Sequence, residues 1–400
     1  MGSKAASPDR FNLARHPIFA LGFRPFYLLA AVFAAIALPL WIAAYVGVVH
    51  IDGYLHGVAW HGHEMVFGFA TAVIAGFLLT AVRTWTGQPT PTGASLAGFA
   101  ALWVLARVLA LTGPANMAAL VDVAFLPVLG LAVAVPIWRS KNVHNLKILA
   151  VLAGLATANV FFHLAQLNML PAEFMRPAIM AALDIITILM AVVGGRVIPV
   201  FAANAIAAAS PRRIWGIEVV SLGSLVLILA AGIANMSYPL PTWAWLGLLM
   251  TAALAHTVRL ILWQPYRKHR NALLWMLPVA YAWIPITLAL RAFAQVDVIP
   301  SAIAVHALTL GAMGGLMVAM MMRSALGHTG RTLTAGFADI TVFALVQLAA
   351  IGRVLSGFIR PELYQGAVIL SGMLWSLAFV VFLFRYCSIL TRPRVDGSSG

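Results

Sequence analysis

Charge is scarce in this chain. Charged residues make up 9% of its 400 residues, where a soluble domain carries about 25%. No polar shell can therefore cover its apolar surface, and most of it must face lipid. Cysteine is nearly absent: the single Cys387 excludes a disulfide framework and any multi-cysteine zinc or iron–sulfur site. Acids are the scarcest charges, 11 Asp and Glu against 25 Lys and Arg for a net charge of +14. In a soluble protein that excess would point to a nucleic-acid partner. Where the bases sit decides whether it does so here.

What abounds is apolar sequence, 62% of the chain. A helix needs roughly 20 apolar residues to cross a hydrocarbon core of about 30 Å. That window selects Phe26–Val48, His61–Val82, Thr92–Leu111, Met117–Trp138, Asn145–Gln166 and Phe174–Gly194 in the first half. In the second half it selects Ile214–Ala234, Pro241–Leu262, Asn271–Ala292, Pro300–Met322, Thr334–Phe358 and Tyr364–Arg385. The prediction is an all-α polytopic membrane protein with twelve transmembrane helices. One transmembrane domain covers 26–386, between a cytoplasmic segment 1–25 and a cytoplasmic tail 387–400. The first ten residues and Val395–Gly400 are polar and read as disordered. The first segment lacks a small-residue cleavage site and reads as an anchor, not a removed signal peptide.

The bases sort by loop. Eighteen lie in one alternating set of loops and ends, from Lys4 to Arg394, against Arg176 and Arg360 in the opposite set. The other five, Arg107, Arg196, Arg259, Arg291 and Arg353, lie within or at the ends of segments. This split places both termini in the cytoplasm. The excess charge is orientation signal, so nucleic acid drops out as a partner and membrane lipid remains.

An ionisable residue inside a membrane helix is costly and is a functional candidate by default. The topology puts His61 and His63 at the outer end of the second helix and His163 near the outer end of the fifth. It puts His306 two turns inside the outer end of the tenth. His256 falls nearer the cytoplasmic side and is the weaker metal candidate. The densest cluster is Trp60-His61-Gly62-His63-Glu64-Met65. At about 100° per residue, His61 and His63 project about 200° apart. They cannot share one metal from a regular helix, but each can address a different partner. Glu64, three residues from His61, is expected on the same face as that imidazole, as an orienting group, a ligand or a proton carrier. Neutral imidazole suits copper, iron and haem alike. The bland alternative is interfacial histidines bonded to backbone; it fits a lone histidine better than four at one depth.

In the tenth helix, Gly311, Gly314 and Gly315 admit close approach of another helix or of a flat macrocycle. Met313, Met317 and Met320 form a stripe that is more often packing than ligation. Asp184 lies mid-membrane in the sixth helix and is the second candidate proton carrier, followed by an expected break at Gly194-Gly195-Arg196-Val197-Ile198-Pro199. Arg107, Arg291 and Arg353 lie at the histidine level, where they can neutralise haem propionates, pair with Glu64, or snorkel to the interface. The second, sixth and tenth helices all run inward and end at Arg83, Arg196 and Arg323, which permits a pseudo-threefold arrangement.

These stretches resemble the NnrS family of bacterial membrane proteins. The resemblance rests on Pro25-Phe26, on Trp60 to Phe69, on Gly76 to Val82 and on Thr84-Trp85-Thr86-Gly87. It continues through Asn159 to His163, Gly195 to Pro199, Tyr281-Ala282-Trp283, His306-Ala307-Leu308-Thr309 and Gly327-His328-Thr329-Gly330-Arg331. It implies a twelve-helix inner-membrane protein that contains haem and copper and acts in the response to nitric oxide. Ligation carries over to His61, His63, His163 and His306. The family's ninth helix often has a histidine where this chain has Pro278. A more distant analogy is the catalytic subunit of haem–copper oxidases and nitric oxide reductases. This chain has no histidine on its sixth or seventh helix, so the familiar three-histidine copper site is absent in that form.

The leading expectation is a protein that binds nitric oxide at an outer-side, histidine-ligated haem b, with copper as a second metal, and removes it by reduction. Electrons would come from a quinol or a cytochrome. The competing expectations are a secondary transporter of a metal or nitrogen oxyanion, and a nitric oxide sensor without turnover.

Overall fold

Uninterrupted apolar runs leave the backbone few ways to satisfy its N–H and C=O groups in lipid, and a helix is the solution within one segment. The computed structural model describes residues 16–205, 211–265 and 271–397. It is 81% helix with no strand among the described residues. Of the polar ends expected to be disordered, residues 1–10 and 398–400 lie outside the described residues.

Among the described residues, twelve helices are long and apolar enough to cross a membrane. They are α1 (Phe23–Tyr45), α2 (Gly57–Thr86), α3 (Gly93–Thr112), α4 (Ala115–Arg139), α5 (Val143–Gln166) and α6 (Ala172–Asn204). The second half supplies α7 (Trp215–Ala234), α8 (Thr242–Leu262), α9 (Ala272–Ala294), α10 (Ser301–His328), α11 (Phe337–Leu355) and α12 (Pro361–Thr391). Each predicted segment has one counterpart. The clearest extensions are at the C-terminal ends of α6, α10 and α12.

The break expected at Gly194 to Pro199 does not occur, because α6 continues through Pro199. A proline leaves the carbonyl four residues back without its helical donor. Here that carbonyl is Gly195 O, and the Arg213 guanidinium donates to it. The missing hydrogen bond is replaced from outside the helix.

Consecutive helices pack on one another around most of the bundle, and α12 returns to pack on α1. The most apolar stretches of α2, α10 and α6 are 83%, 78% and 67% buried, the three highest values. These helices touch pairwise in the centre, as the spacing of four allows. In α10 the glycines admit side chains from neighbouring helices. A Cβ on Gly311 would fall 2.3 Å from the Trp283 ring, and one on Gly314 2.6 Å from Trp375. The expected flat macrocycle has no place against that face.

Both α2 and α10 widen into π-helix, over Glu64–Ala70 and Ala307–Gly314. Each widening begins at the residue after a candidate histidine, His63 and His306. Such bulges recur at functional sites because the extra residue re-aims the side chains around it.

Candidate cofactor and metal sites

The four histidines predicted at one depth do meet there, but as two pairs on opposite sides of α2. His61 faces His306, with ring centroids 6.4 Å apart and planes 16° from parallel. His63 faces His163, with centroids 4.9 Å apart. The 200° projection expected from two-residue spacing accounts for the division, since Gly57–His63 is regular α-helix.

The His61 side opens on a cavity of about 480 Å³ between α1, α2, α6, α10, α11 and α12. Its wall is mainly apolar, with Trp41, Met65, Phe69, Met313 and Trp375 prominent. Trp41 stacks on the His61 ring at a centroid distance of 4.2 Å. His61 Nδ1 is buried with no hydrogen-bond partner. His306 Nδ1 donates to the carbonyl of Ala302, one turn back, at 2.7 Å, so its other ring nitrogen remains available. Two cations reach the wall, Arg353 and Arg176. Arg353 donates to Ser356 Oγ at 2.8 Å and Tyr364 Oη at 3.0 Å. Arg176 donates to Ser301 Oγ at 3.0 Å. Those hydroxyl partners are neutral, so they leave the positive charge of the cavity wall standing.

The His63 side is a buried polar knot held by α2, α3, α4, α5 and the loop between α1 and α2. Glu64 Oε1 lies 3.0 Å from His63 Nδ1 and accepts from Arg107 Nη1 at 2.8 Å. The other arm of Arg107 pairs with Asp122 Oδ1. Asp122 Oδ2 accepts from Asn159 Nδ2 at 2.7 Å. It also lies 2.9 Å from His163 Nε2 and 3.2 Å from His63 Nε2. The Tyr54 hydroxyl meets His163 Nδ1 at 3.0 Å. Burial pushes that hydroxyl well above the ordinary tyrosine range, so it stays protonated. One nitrogen each from His63 and His163 and one oxygen of Asp122 all lie within 4.8 Å of one another.

Several expectations are corrected by this geometry. Glu64 does not serve His61: the π turn begins at Glu64, and its carboxylate lies with His63 and Arg107. Arg107 does pair with Glu64, one of the roles expected for it, and also with Asp122, while Arg291 is engaged by Asp184 instead; neither lines the cavity. Asp184 is likewise outside the cavity wall, because α6 turns Leu183 toward it and the next residue toward α9. Of the three arginines, only Arg353 stands where a cavity ligand would meet it. His256 sits apart in the other half of the bundle, with Nδ1 2.7 Å from Tyr281 Oη and Nε2 3.0 Å from Ser221 O. Arg259 donates to that tyrosine and to Glu218. Both His256 nitrogens are thus engaged by the protein, which fits a satisfied core histidine.

Asp122, Asn159, Tyr54 and Arg176 did not figure among the site candidates. Asp122 carried the signal that should have found it, an acid two turns inside an apolar helix. Arg176 had been counted only as a loop charge.

The geometry can be set beside known proteins. Among curated proteins, none matches the chain. The model of the NnrS protein family matches residues 17–394, nearly its whole length and every residue of both sites. With twelve apolar helices, this makes it a multi-pass membrane protein, and by that match the chain belongs to the NnrS family.

Proposed function

We propose that this protein holds haem b in the cavity and a first-row transition ion in the knot, and uses them to bind and remove nitric oxide. The family's link to the nitric oxide response supports nitric oxide as the substrate. The observation that carries the reading is the facing pair His61 and His306 in a mainly apolar cavity.

The residues present fit haem. His61 brings a buried ring nitrogen with no partner. His306 has the arrangement common in metal-binding histidines, one nitrogen held by a carbonyl and the other left for the metal. Arg353 and Arg176 supply positive charge for the propionates, and the apolar wall excludes water. His61 and His306 would hold the iron, and Trp41 would fix the His61 ring. Bound haem supplies an iron that coordinates nitric oxide and exchanges electrons.

The knot fits a cation. Its two carboxylates and one guanidinium leave one negative charge in a buried site. An ionised carboxylate can only accept hydrogen bonds. With His63 Nδ1 directed at Glu64, its Nε2 faces Asp122 Oδ2 and Asn159 Oδ1, both acceptors. A positive centre belongs where they meet. His63, His163 and Asp122 would be its ligands, with Glu64 and Tyr54 orienting the two rings. Imidazole and carboxylate suit copper(II), zinc or iron, and copper is the ion that the family resemblance implies.

The net reaction converts two nitric oxide molecules, two electrons and two protons into nitrous oxide and water. A quinol or cytochrome would donate the electrons, and the charge split of the loops supports a bacterial inner-membrane location with the sites toward the outer face. Purified protein from haem-replete cells should show a haem absorption band, lost or shifted in His61→Ala and His306→Ala. It should also contain one transition ion per chain, lost in His163→Ala. Absence of any haem band would overturn the reading. Uptake of a metal or oxyanion into proteoliposomes without nitric oxide consumption would favour a transporter.

A further inference from the structure

The structure contains a second cavity, of about 80 Å³, deeper in the bundle. Its wall includes Val73 and Phe77 from α2, Leu189 and Val193 from α6, Met317 from α10 and Leu277 from α9. The same three central helices wall the larger cavity, which ends at Phe69, Leu183 and Met313. Phe69 to Val73 and Met313 to Met317 are each one helical turn, about 6 Å along the axis. The two cavities therefore lie in series along the centre of the bundle.

The chemistry of the inner cavity limits its occupant. Tyr27 brings the one polar side chain to its wall, and its hydroxyl already accepts from Ser324 Oγ at 3.1 Å. A buried water needs two to four polar partners, so this space does not hold water; dry apolar cavities of about 150 Å³ take up xenon or benzene. A space half that size has room for a diatomic gas. Its walls include Met317 and Met320, unbranched side chains that repack easily and can let a small molecule pass.

We propose that the inner cavity is a binding site for a small apolar gas, in series with the outer cavity along α2, α6 and α10. That the gas is nitric oxide rests on the functional reading above; that the site takes an apolar gas does not.

Xenon tests the site without reference to haem. Crystals of the full chain pressurised with xenon should show density between Val73, Leu189 and Met317. Val73→Phe, which fills the space, should lower that occupancy to about a tenth or less. Met317→Phe is the second variant, should the first fail to fold. Xenon found only in the outer cavity, or lipid density running through the inner one, would overturn the proposal. Xenon bound in a protein without a haem band would leave the gas site standing and remove nitric oxide as its ligand. In haem-containing protein, Val73→Phe should slow nitric oxide rebinding after flash photolysis several-fold with an unchanged absorption spectrum. An unchanged rate would overturn the placement of the two cavities in series.

Discussion

His61 and His63 stand two residues apart on α2, yet they serve environments built on opposite principles. On the His61 side, the buried His61 Nδ1 lacks a hydrogen-bond partner, and the wall is mainly apolar around a cavity of about 480 Å³. On the His63 side both ring nitrogens are engaged, and two acids, an arginine and an asparagine close around them. The contrast teaches what each side demands of the fold. The cavity needs little from its polar residues until a ligand arrives, whereas the knot is part of what holds α2, α3, α4 and α5 together.

Mutations can break or sharpen that contrast. The largest effect is expected from Asp122→Ala, which leaves Arg107 and both histidines of the knot short of a partner. Breaking a buried ion pair from one side costs about 3–5 kcal/mol, and thermal unfolding in detergent should show it. His306→Ala should cost far less, about 1 kcal/mol for its hydrogen bond to Ala302, while abolishing or altering the haem spectrum. If the two variants destabilise equally, the division into a structural knot and a ligand-dependent cavity is wrong.

Arg353→Gln keeps hydrogen-bonding capacity but removes the charge from the cavity wall. It should weaken haem retention about tenfold, as for loss of one charge-assisted contact, with little change in the melting temperature of the apoprotein. Retention equal to wild type would remove Arg353 from the propionate role.

Tyr54→Phe is expected to be the mildest in stability, about 1 kcal/mol, and to weaken metal binding in the knot about 10- to 100-fold. Its pH dependence has a definite sign. Burial raises the folded-state pKa of Tyr54, so above about pH 10 the unfolded chain loses a proton that the folded chain keeps. Wild-type stability should therefore be insensitive to Tyr54 below that pH and fall above it, and Tyr54→Phe should fall less steeply. Parallel curves for the two proteins would show that the hydroxyl is not held as described.

Much of this was legible in the sequence. Twelve spans were readable because lipid demands long apolar runs and tolerates little else. The split of His61 from His63 followed from helical spacing alone, and the family resemblance was borne out over nearly the whole chain. Less legible was what depends on neighbours. Nothing in the residues around Glu64 announces a π turn, so its carboxylate was assigned to the wrong histidine. The pairing of Arg107 with Glu64 was among the expectations, but its second partner Asp122, on α4, and the Arg291 partner Asp184, on α6, depend on how the helices pack. Pro199 read as a helix end because its carbonyl's substitute donor, Arg213, lies beyond the helix.

The composition of the knot also has a consequence in time. Its members run from Tyr54 to His163 and belong to the first five helices, whereas the cavity needs His306, Arg353 and Trp375. A chain made from its N-terminus, at about 5–20 residues per second, has every knot side chain available before α6 begins. The knot can be assembled, and the ion proposed for it acquired, while the protein is still being synthesised. The cavity can close only after synthesis has reached α12, so the haem proposed for it would be the last component to enter.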